Sequence, residues 1–443
     1  MACKRSAVRS RLPPPNILKS PADFAGLFYW FNMKTLSSRL LLSLLLIGAA
    51  AGLTGIVLTL LLHTVQHLAF GYPLNAELSY RVMVEESSPL RRLMVLLLCG
   101  GLVGVGWVML HRLASPLVSI KTAVANGQKM PLAATLIHAL LQIITVGLGS
   151  PLGREVAPRE ISAALAERWA ASRGLDEKER KILLACASGA GLAAVYNVPL
   201  AAAVFALETL LLSWSRERLL AALLACGTAV LVVRAALGDV IQYPLPDFPL
   251  PDGWFNAWAL AAAPLLALGV WAFERNAERL PEIPRHKPAM VWVALLSFAF
   301  IGLLAWYFPE IMGNGKAGNQ LSFQSALGWR QALGLLAAKW AALLLATLAG
   351  AYGGRITPSM MLGGLIAFLA ACAWNALLPG IDMGAAAFVG ATVFLGVGQK
   401  MPITALVFML ELSRQSPALW LPLCLCLGAT LLVYRALPVK RAA

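Results

Sequence analysis

A short charged segment interrupts an otherwise apolar part of this chain. The sequence GREVAPRE at residues 153–160 places Arg154, Glu155, Arg159 and Glu160 between apolar runs. An ionised carboxylate at membrane depth costs about 2.5–3.5 kcal/mol, and acids retained there usually handle a proton or an ion. Glu155 is therefore the first candidate for proton or ion chemistry. The alternative interpretation is that Glu155 forms an ion pair with Arg154 or Arg159.

The composition around this segment is that of an integral membrane protein. Of the 443 residues, 59% are hydrophobic and 13% are charged, and the mean hydropathy is +0.74. This is more apolar surface than a soluble core of this length would bury. The apolar runs recur over residues 39–437, and many are short or contain Gly or Pro. We therefore predict an all-α, polytopic membrane protein built from tilted, broken and re-entrant helices.

The net charge of +15 lies in loops and tails beside the apolar runs. Loops rich in Lys and Arg remain on the cytoplasmic side, which explains this charge better than nucleic-acid binding does. The sequence predicts a cytoplasmic tail at residues 1–38, a transmembrane domain at 39–437 and a short tail at 438–443, with both ends cytoplasmic. An in-plane helix within 22–36 and a start at Met33 instead of Met1 are both left open.

The loops carry the same charge bias. Segments 171–181, 213–218 and 275–287 are basic and are predicted to be cytoplasmic, whereas 238–256 contains three Asp and no Lys or Arg and is predicted to be external. For 171–181 and 213–218 to share one side, the apolar run between them must cross the membrane twice. The natural break is at Asn197–Pro199.

The remaining reactive side chains give no sign of a cofactor, metal or enzyme site. Of the seven cysteines, all but Cys3 lie in apolar segments and are predicted to be buried thiols. His63 and His67 have helical spacing but no evident third metal ligand. The chain lacks the GxSxG and HExxH motifs, so a membrane-embedded enzyme has no support.

An internal repeat organises the chain. Residues 197–208 (NVPLAAAVFALE) and 400–411 (KMPITALVFMLE) match at an offset of 203, including a Pro at the start and a Glu at the end. GREVAP and GGRITP repeat the relation, since Pro158 and Pro358 are 200 residues apart. We predict two homologous halves, about 39–237 and 256–437, and expect the second to be inverted relative to the first.

Three Gly- or Pro-rich segments are predicted to begin apolar helices: 114–121, 149–158 and 353–358. The free N–H groups and the dipole at a helix start, equivalent to roughly half a positive charge, can hold an anion without a fixed Lys or Arg. The alternative is that each segment is only a kink or a tight helix contact. The candidate anion-binding residues are Gly153, Val156, Ala157, Arg355, Ile356, Thr357 and Ser115.

These motifs resemble those of the CLC family of chloride channels and chloride/proton antiporters. GREVAP is similar to its GREGP signature and GGRITP to its GGxFAP segment, and the segment at 188–208 is similar to the helix pair that follows GREGP. The resemblance covers about residues 39–437. It implies an inverted-repeat bundle, a homodimer with one ion pathway per subunit, and anions held at helix N-termini. It also implies that Glu155 is the external gate, whose carboxylate competes with the anion and moves away when it is protonated.

The departures from the family pattern indicate fluoride as the main substrate. Val156 replaces a Gly, as in the fluoride/proton antiporter branch, and Thr209 occupies the position of the internal proton-transfer Glu. The chain ends soon after the last apolar run, so the later helix whose Tyr contacts chloride is expected to be missing. Ile356 and Thr357 replace Phe and Ala, which adds a hydroxyl. We predict an inner-membrane fluoride/proton antiporter, with a chloride/proton antiporter or passive chloride channel as the alternative.

Overall fold

The computed structural model describes residues 36–74, 79–245 and 247–438. Seventeen α-helices are found in this described part of the chain. Those of the first half are α1 Ser38–Phe70, α2 Tyr80–Glu86, α3 Pro89–Leu113, α4 Ile120–Asn126, α5 Leu132–Gly147, α6 Val156–Arg173, α7 Glu177–Tyr196, α8 Pro199–Phe205 and α9 Arg216–Leu237. Those of the second half are α10 Gly253–Glu278, α11 Ala289–Tyr307, α12 Lys316–Phe323, α13 Trp329–Leu348, α14 Ile356–Asn375, α15 Met383–Gly398, α16 Pro402–Ser413 and α17 Trp420–Ala436.

The helices have the lengths expected of a membrane bundle with interrupted segments. In the described residues, eight are long and apolar enough to cross a bilayer, namely α1, α3, α9, α10, α11, α13, α14 and α17. Helices α5, α8, α15 and α16 are apolar but shorter. The predicted all-α, polytopic fold is confirmed. The tail and the possible in-plane helix before residue 36 lie outside the described residues.

The break predicted at Asn197–Pro199 is present. Helix α7 ends at Tyr196, and Asn197 takes the left-handed conformation with φ 61°. Pro199 then starts α8, because proline lacks an N–H and suits the first position of a helix. Beyond Phe205 the helix continues as a wider π-helical turn over Ala206–Leu211.

The internal repeat recurs in the backbone conformation. Asn197 and Lys400 both end a helix with positive φ, of 61° and 55°, and Leu212 and Arg414 follow the same pattern with φ of 48° and 53°. Glycines occupy the corresponding left-handed positions after α5 and α13, at Gly149 and Gly350, where any other residue would be strained. Equivalent residues thus adopt equivalent turns in both halves.

The two halves are joined through α8 and α16, which pack against each other. Glu208, in the π-helical turn that continues α8, accepts hydrogen bonds from the Ile403 and Thr404 N–H groups at 3.0 and 2.7 Å. Glu411, at the end of α16, accepts from Leu200 and Ala201 at 3.0 and 2.7 Å. Each glutamate therefore caps the free N-terminus of the other helix.

One sequence prediction needs correction. Cys372 is only half-buried and Cys424 is exposed, so the apolar segments do not bury every thiol; an apolar helix at the edge of a bundle can turn a thiol outward. The segment at 114–121 does begin a helix, as predicted, since α4 starts at Ile120 with the Ser119 hydroxyl as its cap. Ser115 lies five residues before that start.

Candidate functional site

The segments that precede α6 and α14 are joined directly to each other. Gly153 N–H donates to the Gly354 carbonyl at 2.7 Å, and Gly354 N–H donates back to the Gly153 carbonyl at 2.8 Å. A side chain on either glycine would overlap the Glu155 carboxylate. The two glycines therefore form a cradle in which the carboxylate lies, and the repeat places the N-termini of two helices beside it.

Glu155 is completely buried in this cradle, with 0% of its surface exposed. Its Oε1 accepts a hydrogen bond from the Ile356 N–H at 2.9 Å, in the first turn of α14. Its Oε2 accepts from the Tyr196 hydroxyl at 3.0 Å, and that hydroxyl lies 2.8 Å from the Thr357 hydroxyl. The carboxylate thus occupies a place where donors from two separate helices converge, as an anion would.

Tyr196 is held in place by the chain break at the end of α7. The left-handed Asn197 turns the chain away directly after it, and the ring packs edge-on against Phe408 with ring centroids 5.3 Å apart. The residue is 4% exposed, so its hydroxyl needs buried partners. Glu155 and Thr357 provide them.

A basic cavity leads to this hydroxyl network. Its volume is about 640 Å³, and its lining includes Tyr196, Thr357, and Gln242 and Tyr243 of the loop after α9. Arg154 and Lys316 contribute positive charge to the lining, which also includes His63 and His67. Cations around a cleft raise the local concentration of anions. The cavity reaches the side of the molecule on which loop 238–256 lies.

A buried lysine fixes the irregular backbone next to the cradle. Lys339 of α13 is 0% exposed. Its ammonium group donates to the carbonyls of Pro151, Ile311 and Gly313 at 3.1, 2.8 and 2.8 Å. These three bonds satisfy carbonyls that no helix pairs, and they connect the segment before α6 with the segment before α12.

Of the remaining predicted residues, two lie beside the carboxylate and two have side chains that are directed elsewhere. Val156 and Ala157 form the first turn of α6 beside it, and Ala157 is fully buried. Arg355 directly precedes Ile356, but its side chain is exposed and donates to the Thr347 hydroxyl at 3.4 Å. The side chain of Ser115 is exposed in the α3–α4 loop, and the hydrogen bonds of Glu155 among the described residues do not reach it.

Thr209 and Arg159 also form contacts away from the Glu155 carboxylate. The Thr209 hydroxyl bonds back to the Phe205 carbonyl of its own helix at 2.7 Å. Arg159 donates to the Ser188 hydroxyl at 3.3 Å and lies 4.4 Å from the Phe205 ring centroid. The interpretation of Glu155 as an ion pair with Arg154 or Arg159 is therefore wrong, because within the described residues its carboxylate bonds to Ile356 of α14 and to Tyr196 instead.

The residue that the sequence analysis missed is Tyr196. It is a polar aromatic residue in the apolar run 182–196, and it stands immediately before the Asn197–Pro199 break. A tyrosine at the end of a helix that stops within the bundle needs a polar partner there. That combination of position and residue type was the available signal.

Together the fold and the site define a class: a polytopic membrane protein in which two broken helices of an internal repeat converge on one carboxylate. A family model described as voltage gated chloride channel matches residues 95–435. This chain therefore belongs to the CLC family of anion transporters.

Curated relatives and solved structures agree with this. The voltage-gated ClC-type chloride channel ClcB of Salmonella typhi is 27% identical over 406 residues, which cover 89% of this chain and 95% of that protein. The putative chloride channel protein ClcB-like of Ralstonia nicotianae is 26% identical over 295 residues, covering 63% and 67%.

Two solved structures share the fold at 19% identity. A slow cyanobacterial Cl⁻/H⁺ antiporter superposes with a TM-score of 0.74 over 92% of this chain and 96% of that one. A CLC-type fluoride/proton antiporter superposes with a TM-score of 0.66 over 89% and 94%. Both likenesses establish the architecture.

Proposed function

We propose that this protein exchanges chloride for protons across a membrane, with Glu155 as the gate. The observation that carries the proposal is the fully buried Glu155 carboxylate, which takes the Ile356 N–H and the Tyr196 hydroxyl as donors. A transported anion needs the same donors. Carboxylate and anion therefore compete for one place.

Proton coupling follows from this competition. When Glu155 binds a proton, its carboxyl loses the charge that held it against the two donors, and it can leave the cradle. An anion arriving through the basic cavity then takes the Ile356 N–H, the Tyr196 hydroxyl and the dipoles of α6 and α14. Loss of the proton returns the carboxylate and expels the anion.

Chloride replaces fluoride as our main substrate assignment. The fluoride prediction depended partly on the loss of a tyrosine hydroxyl and of aromatic closure near the anion. Tyr196 supplies a buried phenolic hydroxyl within hydrogen-bond distance of Glu155, and its ring packs on Phe408. The names of the curated relatives, which refer to chloride, also favour this assignment. One observation keeps fluoride as the second candidate: the Thr357 hydroxyl, which is buried in the same network.

The proposal includes a homodimer in a bacterial inner membrane, with both termini cytoplasmic. The bacterial relatives support the cell type, and the charge bias of the loops supports the orientation. The paired helices α8 and α16 carry exposed apolar residues at repeat-related positions, Leu200 at 54% and Ile403 at 47% exposure, and this face suits a second subunit.

The test measures anion efflux and proton uptake from proteoliposomes loaded with chloride or with fluoride. We expect chloride efflux to drive proton uptake in the wild type. Glu155→Gln, which mimics the protonated carboxyl, should abolish proton uptake while chloride still passes, because no titratable group remains at the gate.

Three results would contradict the proposal in different ways. Proton uptake by Glu155→Gln would remove Glu155 from the coupling step. Fluoride efflux far above chloride efflux would restore the fluoride assignment. Chloride efflux without proton uptake in the wild type would identify a passive channel.

A further inference from the structure

A second buried polar cluster lies beside the Glu155 cradle and takes no part in the contacts described above. Trp107 of α3 donates its Nε1–H to His138 Nδ1 at 2.9 Å. Gln142 Nε2 donates to Glu160 Oε2 at 2.9 Å, and His138 Nε2 lies 3.6 Å from the same oxygen. His138 and Gln142 are four residues apart on α5, so both face Glu160 of α6.

The tryptophan fixes the tautomer of His138. An indole N–H can only donate, so Nδ1 of His138 must be the acceptor, and the imidazole carries its proton on Nε2. A second proton on Nδ1 would point at the indole N–H. His138 is 3% exposed and therefore remains a neutral donor directed at Glu160. Glu160 is the member of the pair that can exchange a proton.

The amide of Gln142 suits both protonation states of Glu160. Its Nε2 donates to the carboxylate, while its Oε1 is buried without a hydrogen-bond partner among the described residues. A buried acceptor left unpaired costs about 1–3 kcal/mol. Protonated Glu160 would have an O–H to donate, and the Gln142 amide can rotate to present Oε1 to it. The Gln142 amide can therefore pair with Glu160 in either protonation state.

The cluster lies on the inner side of the gate. Glu160 follows Glu155 by five residues in α6, about 7–8 Å along the helix toward the loop 171–181 that we predict to be cytoplasmic. Tyr352 precedes Gly354 of the cradle by two residues, and its ring centroid is 4.5 Å from that of His138.

Tyr352 extends the cluster toward the 275–287 loop. Its hydroxyl is 3.2 Å from His111 Nε2, and the guanidinium of Arg285 lies 3.9 Å from its ring centroid. The charged and titratable groups that surround the pair are Arg159, next to Glu160 in α6, with His111 of α3 and Arg285 of the α10–α11 loop.

We propose that Glu160, held by His138 and Gln142, is the inner proton site of this transporter. The inference rests on the proposed proton exchange. It assigns to Glu160 the role that the family resemblance gives to a glutamate at the position of Thr209. In the transfer step the O–H bond of Glu160 breaks and an O–H bond forms on Glu155 through intervening water. Glu160 remains as a carboxylate that accepts from Gln142 Nε2 and lies 3.6 Å from His138 Nε2, and the inner solution then supplies it with a new proton.

The test compares full-length wild type, Glu160→Gln and Glu160→Asp in proteoliposomes, with Glu278→Gln as the matched control. Glu278 is also a helix glutamate paired with a basic residue, at 3.7 Å from Arg275, but it is the last residue of α10 and takes no part in the cluster. Glu160→Gln should keep chloride efflux while the ratio of protons to chloride falls at least about tenfold. Glu160→Asp, which retains a carboxyl, should keep part of the coupling, and Glu278→Gln should match the wild type.

The outcomes separate this inference from the proposed function. A wild type without proton uptake would refute proton exchange itself. A coupled wild type together with an equally coupled Glu160→Gln would overturn only the inner site. Loss of chloride efflux in both Glu160→Gln and Glu160→Asp would give Glu160 a structural role, and this too would overturn it.

Discussion

At the scale of single residues, a short chain of hydroxyl groups holds the Glu155 carboxylate that we propose as the gate. Tyr196 donates to Glu155 and can accept from Thr357, so the carboxylate is stabilised by a donor that is itself polarised. A hydrogen bond to a charged group contributes about 1.5–3 kcal/mol. In the proposed mechanism, the closed state therefore depends on Tyr196, a residue outside both signature motifs.

Tyr196→Phe should weaken the closed state. The ring and its contact with Phe408 are retained, but Glu155 loses one of its two donors, so chloride efflux at neutral and alkaline pH should rise about tenfold relative to the wild type. The measurement is initial chloride efflux between pH 4.5 and 8. Tyr243→Phe is the matched control, because Tyr243 also lines the cavity but its hydroxyl accepts from Asn319 instead of contacting Glu155. Equal effects of the two substitutions would contradict a specific role for Tyr196.

Thr357 tests how the hydroxyl chain affects anion choice. Its hydroxyl lies against Tyr196 instead of bonding back into α14. Removing a donor near a desolvated anion costs more for the smaller ion, whose charge is concentrated. Thr357→Ala should lower the fluoride-to-chloride efflux ratio several-fold, which corresponds to a free-energy difference of about 1 kcal/mol. Thr357→Ser should preserve the ratio. An unchanged ratio in Thr357→Ala would remove this hydroxyl from the anion site.

At the scale of helices, α8 and α16 stabilise each other through their terminal glutamates. Each carboxylate accepts two backbone N–H groups that the helix start leaves unpaired, and a leading proline removes a third. Because the two caps come from opposite halves of the chain, they connect the repeats where the helices run side by side. Losing either cap should loosen both helices.

Glu411→Gln should destabilise the protein by about 1–2 kcal/mol, the range for a lost helix cap. A glutamine has one acceptor oxygen, so its amide nitrogen would face either the Leu200 or the Ala201 N–H. The readout is the midpoint of thermal unfolding in detergent. Glu278→Gln, at an exposed ion pair, should shift it little. If the unfolding midpoint of Glu411→Gln equalled that of the wild type, α8 would not depend on this cap.

At the scale of the whole molecule, the architecture could be predicted from the sequence because the repeated positions are occupied by residues with strong backbone preferences. Pro199 and Pro402 begin helices, and Gly153 and Gly354 allow two helix starts to approach a carboxylate. Residues of this kind impose a conformation locally, so their spacing could be interpreted without a structure.

The details of the site could not be predicted in the same way. Tyr196 reaches Glu155 only because α7 stops within the bundle and turns toward α14, and no local pattern encodes that meeting. Ser115 stays a prediction: its motif precedes a helix start, but the helix begins five residues later, at Ile120. The His138–Glu160 pair connects α5 with α6, and the residue spacing within each helix does not specify how the two helices pack.

Asp239 connects the two halves on the side predicted to be external. Its contacts predict how stability depends on pH. Its carboxylate accepts from Asn197 at 2.7 Å and contacts Arg414, while Arg234 Nε lies 3.2 Å away. The hydrogen bonds from Asn197 and then from Arg414 lower the pKa of Asp239 below its ordinary value. A carboxylate with a lowered folded-state pKa stabilises the fold above the unfolded-state pKa of about 3.9, and this stabilisation disappears as the pH falls through the folded-state value.

Asp239→Asn should therefore lower the thermal midpoint at pH 7, and its difference from the wild type should close below about pH 4. Thermal unfolding in detergent at several pH values measures this. Asp252→Asn is the control from the same loop, because Asp252 caps α10 and asparagine caps a helix equally well; its difference from the wild type should be small at every pH. A deficit in Asp239→Asn that stays constant down to pH 3 would show that the side chain acts through its shape and neutral hydrogen bonds, since only a contribution from the ionised carboxylate disappears when that carboxylate takes up a proton.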